Sequence, residues 1–275
     1  MRSENLDSPF TPQQSSADAA KVHGTIKFND WITCPTPNPA APLRLFCLPF
    51  AGGGASIFRA WGRALSPAIE VCPIQLPGRE NRFREPAHTD VLPLAEILAN
   101  QIQLYADKPF ILFGHSMGAL LAFELTKILQ RQNAPLPLML FLSAHRAAHL
   151  PPRRTPMHAL PDEEFIEKLR RFGGFPDEIL EHQELLDFLL PTLRADLTLC
   201  DSYRYVPDAP LNCPLQLYAG RQDTEVSPEE IEAWNEHTTQ AASLHVFPGG
   251  HFFLRSDADA LMQAIAKASA QIGPL

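Results

Sequence analysis

Residues 114–118 read Gly-His-Ser-Met-Gly, a G-x-S-x-G pattern. It follows an apolar run at 110–113 and opens a segment in which Met117, Leu121, Leu125 and Ile128 recur at helical spacing. A serine on such a strand-to-helix turn is pushed into open space, because the flanking glycines carry no side chains to collide as the turn closes. The helix start beside it favours developing negative charge. This is the setting of a nucleophilic serine, and Ser116 is the candidate.

A serine hydroxyl needs a base, and the base needs an orienting acid. Where the nucleophile sits on this kind of turn, the chain order is Ser, then Asp or Glu, then His. Three histidines lie late enough in the chain: His237, His245 and His251. His237 falls in a polar, helix-like stretch and His245 within an apolar strand-like run. His251 follows that run directly after Pro248-Gly249-Gly250, whose glycines let the backbone turn back over the sheet, so His251 is the candidate base. Asp223 follows the strand-like run 215–218 and is the candidate acid, with Glu225 close enough to compete for the role. His115, inside the turn itself, is expected to pack rather than act as the base.

An acyl-transfer oxyanion needs two backbone N–H donors. Met117, next after the nucleophile, is expected to supply one. The other is expected from Ala51, in the loop after the run Leu43–Leu48, where Gly52-Gly53-Gly54 let the backbone approach a substrate closely. No Gly-Lys-Ser/Thr follows those glycines, so a nucleotide phosphate loop is not expected.

The elements that must position these residues alternate. Strands are expected at Leu43–Leu48, 71–76, 110–113, 138–142, 215–218 and 244–247. Helical patterns lie between them: Phe58, Trp61 and Leu65, stopped by Pro67; Leu94, Leu98, Ile102 and Tyr105; the segment from Met117; and a closing stretch with Leu261, Ile265 and Ile272. Alternation of this kind predicts an α/β fold with a mostly parallel central sheet covered by helices on both faces. With the nucleophile turn, the α/β-hydrolase fold is expected. One section, about 145–210, breaks the rhythm. Phe165, Ile166, Leu169 and Phe172 predict an amphipathic helix ending at Gly173-Gly174. Leu185, Leu186, Leu189, Leu190, Leu193 and Leu197 predict a second, which Pro191 should kink or divide. The section is expected to be a helical lid over the C-terminal strand ends, with Phe165, Leu169, Leu186 and Leu190 covering a pocket. An ordinary helical insertion would show the same pattern.

Size and composition fit a single hydrolase domain over residues 23–275, preceded by a polar, flexible tail at 1–22. No apolar run reaches the 18 or so residues of a membrane span, and no secretory signal is read at the N-terminus. The five cysteines are scattered without C-x-x-C spacing, so neither a disulfide framework nor a zinc site is expected, and the chain suits a reducing cytoplasm. The formal charge of −8 argues against nucleic-acid binding.

Taken together, Leu48-Pro49-Phe50-Ala51-Gly52-Gly53-Gly54-Ala55-Ser56, Gln75-Leu76-Pro77-Gly78-Arg79-Glu80, the turn at 114–118 and Phe247-Pro248-Gly249-Gly250-His251-Phe252-Phe253-Leu254 resemble the type II thioesterases of polyketide and nonribosomal peptide synthesis. Leu160-Pro161-Asp162-Glu163-Glu164-Phe165 and Leu190-Pro191-Thr192-Leu193-Arg194-Ala195-Asp196 carry the likeness into the lid. The resemblance spans about 43–254. It implies hydrolysis of acyl thioesters on the phosphopantetheine arm of acyl or peptidyl carrier proteins, as editing or release. It places the triad on Ser116, Asp223 and His251 and calls for no metal or cofactor. A monomer is expected. The N-terminal extension, through about Pro42, is longer than the family's. Two other activities fit the same triad motif less well: an esterase, peptidase or acyltransferase on free small molecules, and a non-catalytic carrier-protein binder. Carrier proteins are acidic and this chain is itself at −8, so docking would need a local basic patch. Arg79, Arg82 and Arg84 after the second strand, and Arg146, Arg153 and Arg154 after the fourth, are candidates; solvated surface arginines would give the same pattern.

Overall fold

A computed structural model of the chain describes residues 28–152, 156–174 and 182–272. The expected tail at 1–22, and Arg153 and Arg154, lie outside the described residues. Six apolar segments are strands: β1 (Leu43–Leu48), β2 (Ile69–Pro73), β3 (Phe110–His115), β4 (Leu140–Ser143), β5 (Leu215–Gly220) and β6 (Ala242–Phe247). They form one sheet in the order β2-β1-β3-β4-β5-β6 with every neighbouring pair parallel. The second strand ends earlier than its apolar run. Beyond Pro73, Ile74 N–H still donates to the Cys47 carbonyl of β1 at 2.9 Å, and the residue also bridges Ile32 of the N-terminal segment in antiparallel fashion.

Parallel neighbours cannot be joined by tight hairpins, so helices carry the chain back between strands. These are α1 (Trp61–Ala64), α2 (Val91–Gln103), α3 (Met117–Arg131), α4 (Asp162–Phe172), α5 (Gln183–Ser202), α6 (Pro228–Glu232), α7 (Phe253–Ser256) and α8 (Ala258–Ala270). Each strand residue turns to the opposite face from its neighbour, and both faces are covered. Leu45, Cys47, Ile111, Phe113 and Phe141 pack with Phe58, Trp61, Leu261 and Ile265 on one face. Phe46, Leu48, Leu112, Leu140 and Leu217 pack with α2 and α3 on the other. This explains why the inner strands read as unbroken apolar runs. Only β6, at the sheet edge, alternates between half-buried and exposed positions.

The order of strands fixes where a site can form. From β1 the chain moves outward to β2, then returns across β1 to β3. The loops leaving the C-terminal ends of β1 and β3 therefore diverge and leave a crevice between them. Ser116 follows β3 there, and Ala51 follows β1.

The junction is built from backbone touching backbone. Ser116 stands at φ +53°, ψ −119°, a conformation rare for a residue with a side chain, and such strain costs of order 1–3 kcal/mol. A Cβ on Gly114 would lie 2.1 Å from the Gly118 carbonyl oxygen, and one on Gly118 would lie 2.2 Å from that of Leu48. The second contact seats the start of α3 on the end of β1.

Between β4 and β5, α4 carries Asp162, Glu163 and Glu164 in its first turn and Arg170 and Arg171 in its last, matching the helix dipole. It stops at Gly173, whose φ of +69° is the left-handed conformation that glycine adopts without penalty. α5 runs through Pro191 without being divided. Pro191 is on the exposed side, so the carbonyl it leaves unbonded one turn earlier faces water rather than the core. Phe165, Leu169, Leu186, Leu190, Leu193 and Leu197 pack with Met157 as a small core of the insertion's own.

Beneath the same sheet face, His237 is buried among Phe123, Trp234 and Tyr205, its Nε2 2.7 Å from His149 Nδ1. Burial first, then the neighbouring His149 and Lys127, pull its pKa down to about 4. The unfolded chain, with histidine near 6.5, then binds more protons at His237 than the folded one between pH 6.5 and 4. Its contribution is intact above pH 6.5 and is lost as pH falls toward 4. The pH dependence of the thermal midpoint should therefore be shallower in His237→Gln than in the wild type across that window; parallel curves would contradict this. Gly118→Ala should cost about 1–3 kcal/mol through overpacking, seen as a fall of roughly 2–10 °C in the midpoint by calorimetry.

Candidate active site

At the crevice, Ser116, His251 and Asp223 form one hydrogen-bonded chain. His251 Nδ1 lies 2.8 Å from Asp223 Oδ2, and His251 Nε2 lies 3.0 Å from Ser116 Oγ. A carboxylate only accepts, so Nδ1–H donates to Asp223. Nε2 is then the bare nitrogen, placed to accept the serine proton. The second oxygen, Asp223 Oδ1, accepts the backbone N–H groups of Glu225 at 2.8 Å and Val226 at 3.1 Å. Both partners of this hydrogen bond are buried, with side-chain exposures of 7% for His251 and 0% for Asp223. These bonds hold the carboxylate in one orientation. Asp223 reaches the imidazole, whereas Glu225 contributes its backbone N–H and lines the cavity.

His115 does more than pack. It is fully buried, with Nδ1 2.9 Å from Ser143 Oγ and Nε2 2.9 Å from the His251 carbonyl oxygen. A carbonyl only accepts, so Nε2 carries the hydrogen and Nδ1 accepts from the Ser143 hydroxyl. Burial, with the nearby His251 and Arg255 adding to it, holds its pKa well below the usual histidine value, so this ring stays neutral. It ties the backbone of residue 251 to the nucleophile turn. Position within the motif does not reveal that role. His245 is exposed on β6 and His237 lies in the core described above, so neither approaches Ser116 through any bond described.

Met117 is the first residue of α3, and a helix's first N–H groups have no acceptor within the helix. Ala51 sits in the turn leaving β1, which closes with Gly53 N–H donating to the Phe50 carbonyl at 2.9 Å, and Ala51 and Ser116 border the same cavity. That cavity has a volume of about 910 Å³. Leu169 and Phe172 of α4 and Leu193 and Leu197 of α5 line one side. Cys200, Tyr203 and Tyr205 line it as well. Of the four residues expected to cover the pocket, only Leu169 lines it. Phe165, Leu186 and Leu190 turn into the insertion's own core. The periodicity found the apolar face correctly but could not tell which part of it meets an internal neighbour.

The arginines also correct an expectation. Arg79 is 6% exposed and paired with Asp196. Arg82 is equally buried, bonded to Glu85 and the Gln75 carbonyl and stacked over Trp31 at 4.1 Å. Arg146 pairs with Glu230 at 3.0 Å and donates to the Pro151 carbonyl. These three brace the molecule, and only Arg84 among the described members of both clusters is exposed. Their carbon stems and planar heads suit burial beside carbonyls and carboxylates, which a count of charges does not register.

Among the described residues no group of three or more His, Cys, Asp or Glu side chains could hold a metal ion, and no helix is long and apolar enough to cross a membrane.

The chain matches the family described as "Thioesterase domain" over residues 43–269. It is 44% identical over 226 residues to the gramicidin S biosynthesis protein GrsT of Aneurinibacillus migulanus, covering 82% of this chain and 88% of that protein. Among solved structures, RedJ, a thioesterase from the prodiginine biosynthetic pathway in Streptomyces coelicolor, is 41% identical with a TM-score of 0.79, covering 83% of this chain and 91% of its own. BorB, a type II thioesterase from the borrelidin biosynthetic cluster, is 36% identical with a TM-score of 0.81, covering 88% of this chain and 98% of its own. With the α/β-hydrolase fold and a Ser–His–Asp chain of hydrogen bonds in place, these likenesses settle the kinship: the chain belongs to the thioesterase family, beside the type II thioesterases of biosynthetic pathways.

Proposed function

We propose that this protein hydrolyses acyl thioesters borne on the phosphopantetheine arm of acyl or peptidyl carrier proteins, as an editing or releasing enzyme of polyketide or nonribosomal peptide synthesis. It would do so as a cytoplasmic monomer. The observation that carries the reading is the bonded series Ser116 Oγ, His251 Nε2, His251 Nδ1, Asp223 Oδ2, whose Ser116 and His251 line a large, partly apolar cavity. In this reading Ser116 is the nucleophile. Its proton passes to His251 Nε2 as Oγ attacks the thioester carbonyl carbon. The N–H groups of Ala51 and Met117 hold the carbonyl oxygen as it gains charge. Asp223 keeps the imidazole in the correct tautomer and stabilises the imidazolium. The tetrahedral adduct then expels the pantetheine sulfur, which takes the proton from His251. Water, giving its proton to the same nitrogen, attacks the acyl-serine, and the acid leaves with Ser116 restored. The helices between β4 and β5 act as a lid, and the acyl chain lies along Leu169, Phe172, Leu193 and Leu197.

Incubation with a panel of acyl-carrier proteins, read by intact mass, tests the reading. Loss of the acyl mass is expected for the wild type, and its persistence across the whole panel would refute the proposal. Ser116→Ala should fold normally and lose turnover by as much as ~10⁶-fold, by analogy with serine-hydrolase knockouts. Asp223→Asn should lose less, because His251 remains, while Glu225→Gln should stay within a few-fold of wild type; the reverse ranking would move the acid to Glu225. Leu169→Asn or Leu193→Asn should depress turnover of long acyl thioesters more than of an acetyl thioester. Phe165→Asn should instead lower the thermal midpoint, through loss of the insertion's core, by about 3–5 kcal/mol equivalent. Equal losses at every chain length in the first pair would point to general destabilisation.

A further inference from the structure

Gly52, Gly53 and Gly54 after β1 have no side chains with which to hold themselves, yet the proposed reaction needs the N–H of the adjoining Ala51 held in place. Its turn runs from Phe50 to Gly53, closed by the Gly53 N–H to Phe50 carbonyl bond, with Gly52 in third position at φ +78°. This is the pattern of a type II turn, and a type I turn differs by rotation of the central peptide, here Ala51–Gly52. The N–H of that peptide, on Gly52, donates to Asp196 Oδ2 at 2.7 Å. Rotation would present the Ala51 carbonyl oxygen to the carboxylate instead, so the charge on Asp196 selects one of the two turns.

Asp196 is itself held. It is 2% exposed, and both its oxygens accept from Arg79, Nη1 to Oδ2 at 2.7 Å and Nη2 to Oδ1 at 2.8 Å. Arg79 also donates through Nη1 to the Gly53 carbonyl at 3.3 Å and through Nε to the Pro77 carbonyl at 3.1 Å. Gln75 accepts from Ala55 N–H at 2.9 Å and donates to the Arg79 carbonyl at 3.0 Å. A buried two-bond pair of this kind is geometrically specific and strong. Asp196 comes from α5, the insertion's long helix, and a turn earlier Thr192 Oγ1 donates to the Gly78 carbonyl at 2.6 Å. The carboxylate touches neither Ser116 nor His251 in any bond described.

We propose that Asp196, gripped by Arg79, is a positioning residue that anchors the 50–53 turn through the Gly52 N–H, holding it in one conformation and thereby fixing the place of the adjoining Ala51 N–H, the proposed oxyanion donor. The inference rests on the thioesterase reading above. It means that the insertion supplies part of the frame of the site as well as its cover.

Asp196→Asn tests it, since the amide cannot accept from Gly52 and from both Arg79 nitrogens. The probes are an acyl N-acetylcysteamine thioester as substrate, an acyl trifluoromethyl ketone that forms a hemiketal alkoxide on Ser116, and the matching unreactive thioether. Complete loss of an oxyanion donor costs about 10²–10³ in kcat, so misplacing one should lower kcat per folded enzyme about tenfold to a hundredfold, with KM little changed. The ketone should bind more weakly by the same factor as kcat/KM falls, and the thioether should bind as before. Unchanged kcat, or parallel weakening of ketone and thioether, would overturn the proposal, the latter because it signals a disturbed pocket. Should Asp196→Asn fail to fold, Arg79→Lys keeps the charge opposite Asp196 while removing one of the paired bonds, and the same ketone-selective loss is expected at smaller size. A wild type that turns over no thioester would sink the functional reading itself, whereas an active wild type with an unaffected variant sinks only the role of Asp196.

Discussion

The close approach of Gly118 to the Leu48 carbonyl is the constraint on which the site depends. It seats the first turn of α3 directly on the end of β1, at the place where the strand order reverses. Because the two backbones touch, the turn after β1 and the turn after β3 become neighbours without any side chain between them. The strained Ser116 conformation follows, since the chain must leave β3 and enter α3 within one residue. The sheet's two covered faces supply the burial that offsets this strain, with each fully buried leucine or phenylalanine contributing about 1.5–3 kcal/mol.

Around this contact, polar groups do at close quarters what packing cannot. The His115 ring links the residue 251 backbone to Ser143 at the end of β4, and the Arg79–Asp196 pair links α5 to the loop after β1. In both cases a buried side chain satisfies backbone groups that no regular element would satisfy. Removing one partner of such a pair leaves the other buried and unpaired, which is far costlier than the pair's net worth. The result is a site framed by five separate parts of the chain, the loops after β1, β3, β5 and β6 and the helical insertion.

Much of this was legible in the sequence because it is periodic or sterically obligatory. Six apolar runs gave six strands, and Leu43–Leu48 did so with the same bounds. The G-x-S-x-G turn and the glycines before His251 located two members of the hydrogen-bonded series, and Asp223 was placed by its distance past a strand. What stayed hidden depends on distant partners. The clusters around Arg79, Arg82 and Arg146 looked like surface charge because a sequence does not display the carboxylates and carbonyls that meet them. Phe165, Leu186 and Leu190 share an apolar face with Leu169 and Leu193, and only three-dimensional packing divides that face between the insertion's core and the cavity. Of the two outcomes expected at Pro191, a kink or a division, the division does not occur: the helix runs on through it, and the residue one turn before it is exposed.

The neutrality of His115 has a consequence for the proton cycle. Its ring centre is 5.7 Å from that of His251, near enough for a charge on one to oppose a charge on the other. Had both rings shared similar surroundings, every proton lifted from the proposed nucleophile would have been received beside a possible second cation. Sealed from water and committed at both nitrogens, His115 presents only a dipole, its hydrogen spent on a carbonyl. The two imidazoles are thus divided by environment into the proposed proton carrier and an insulated strut.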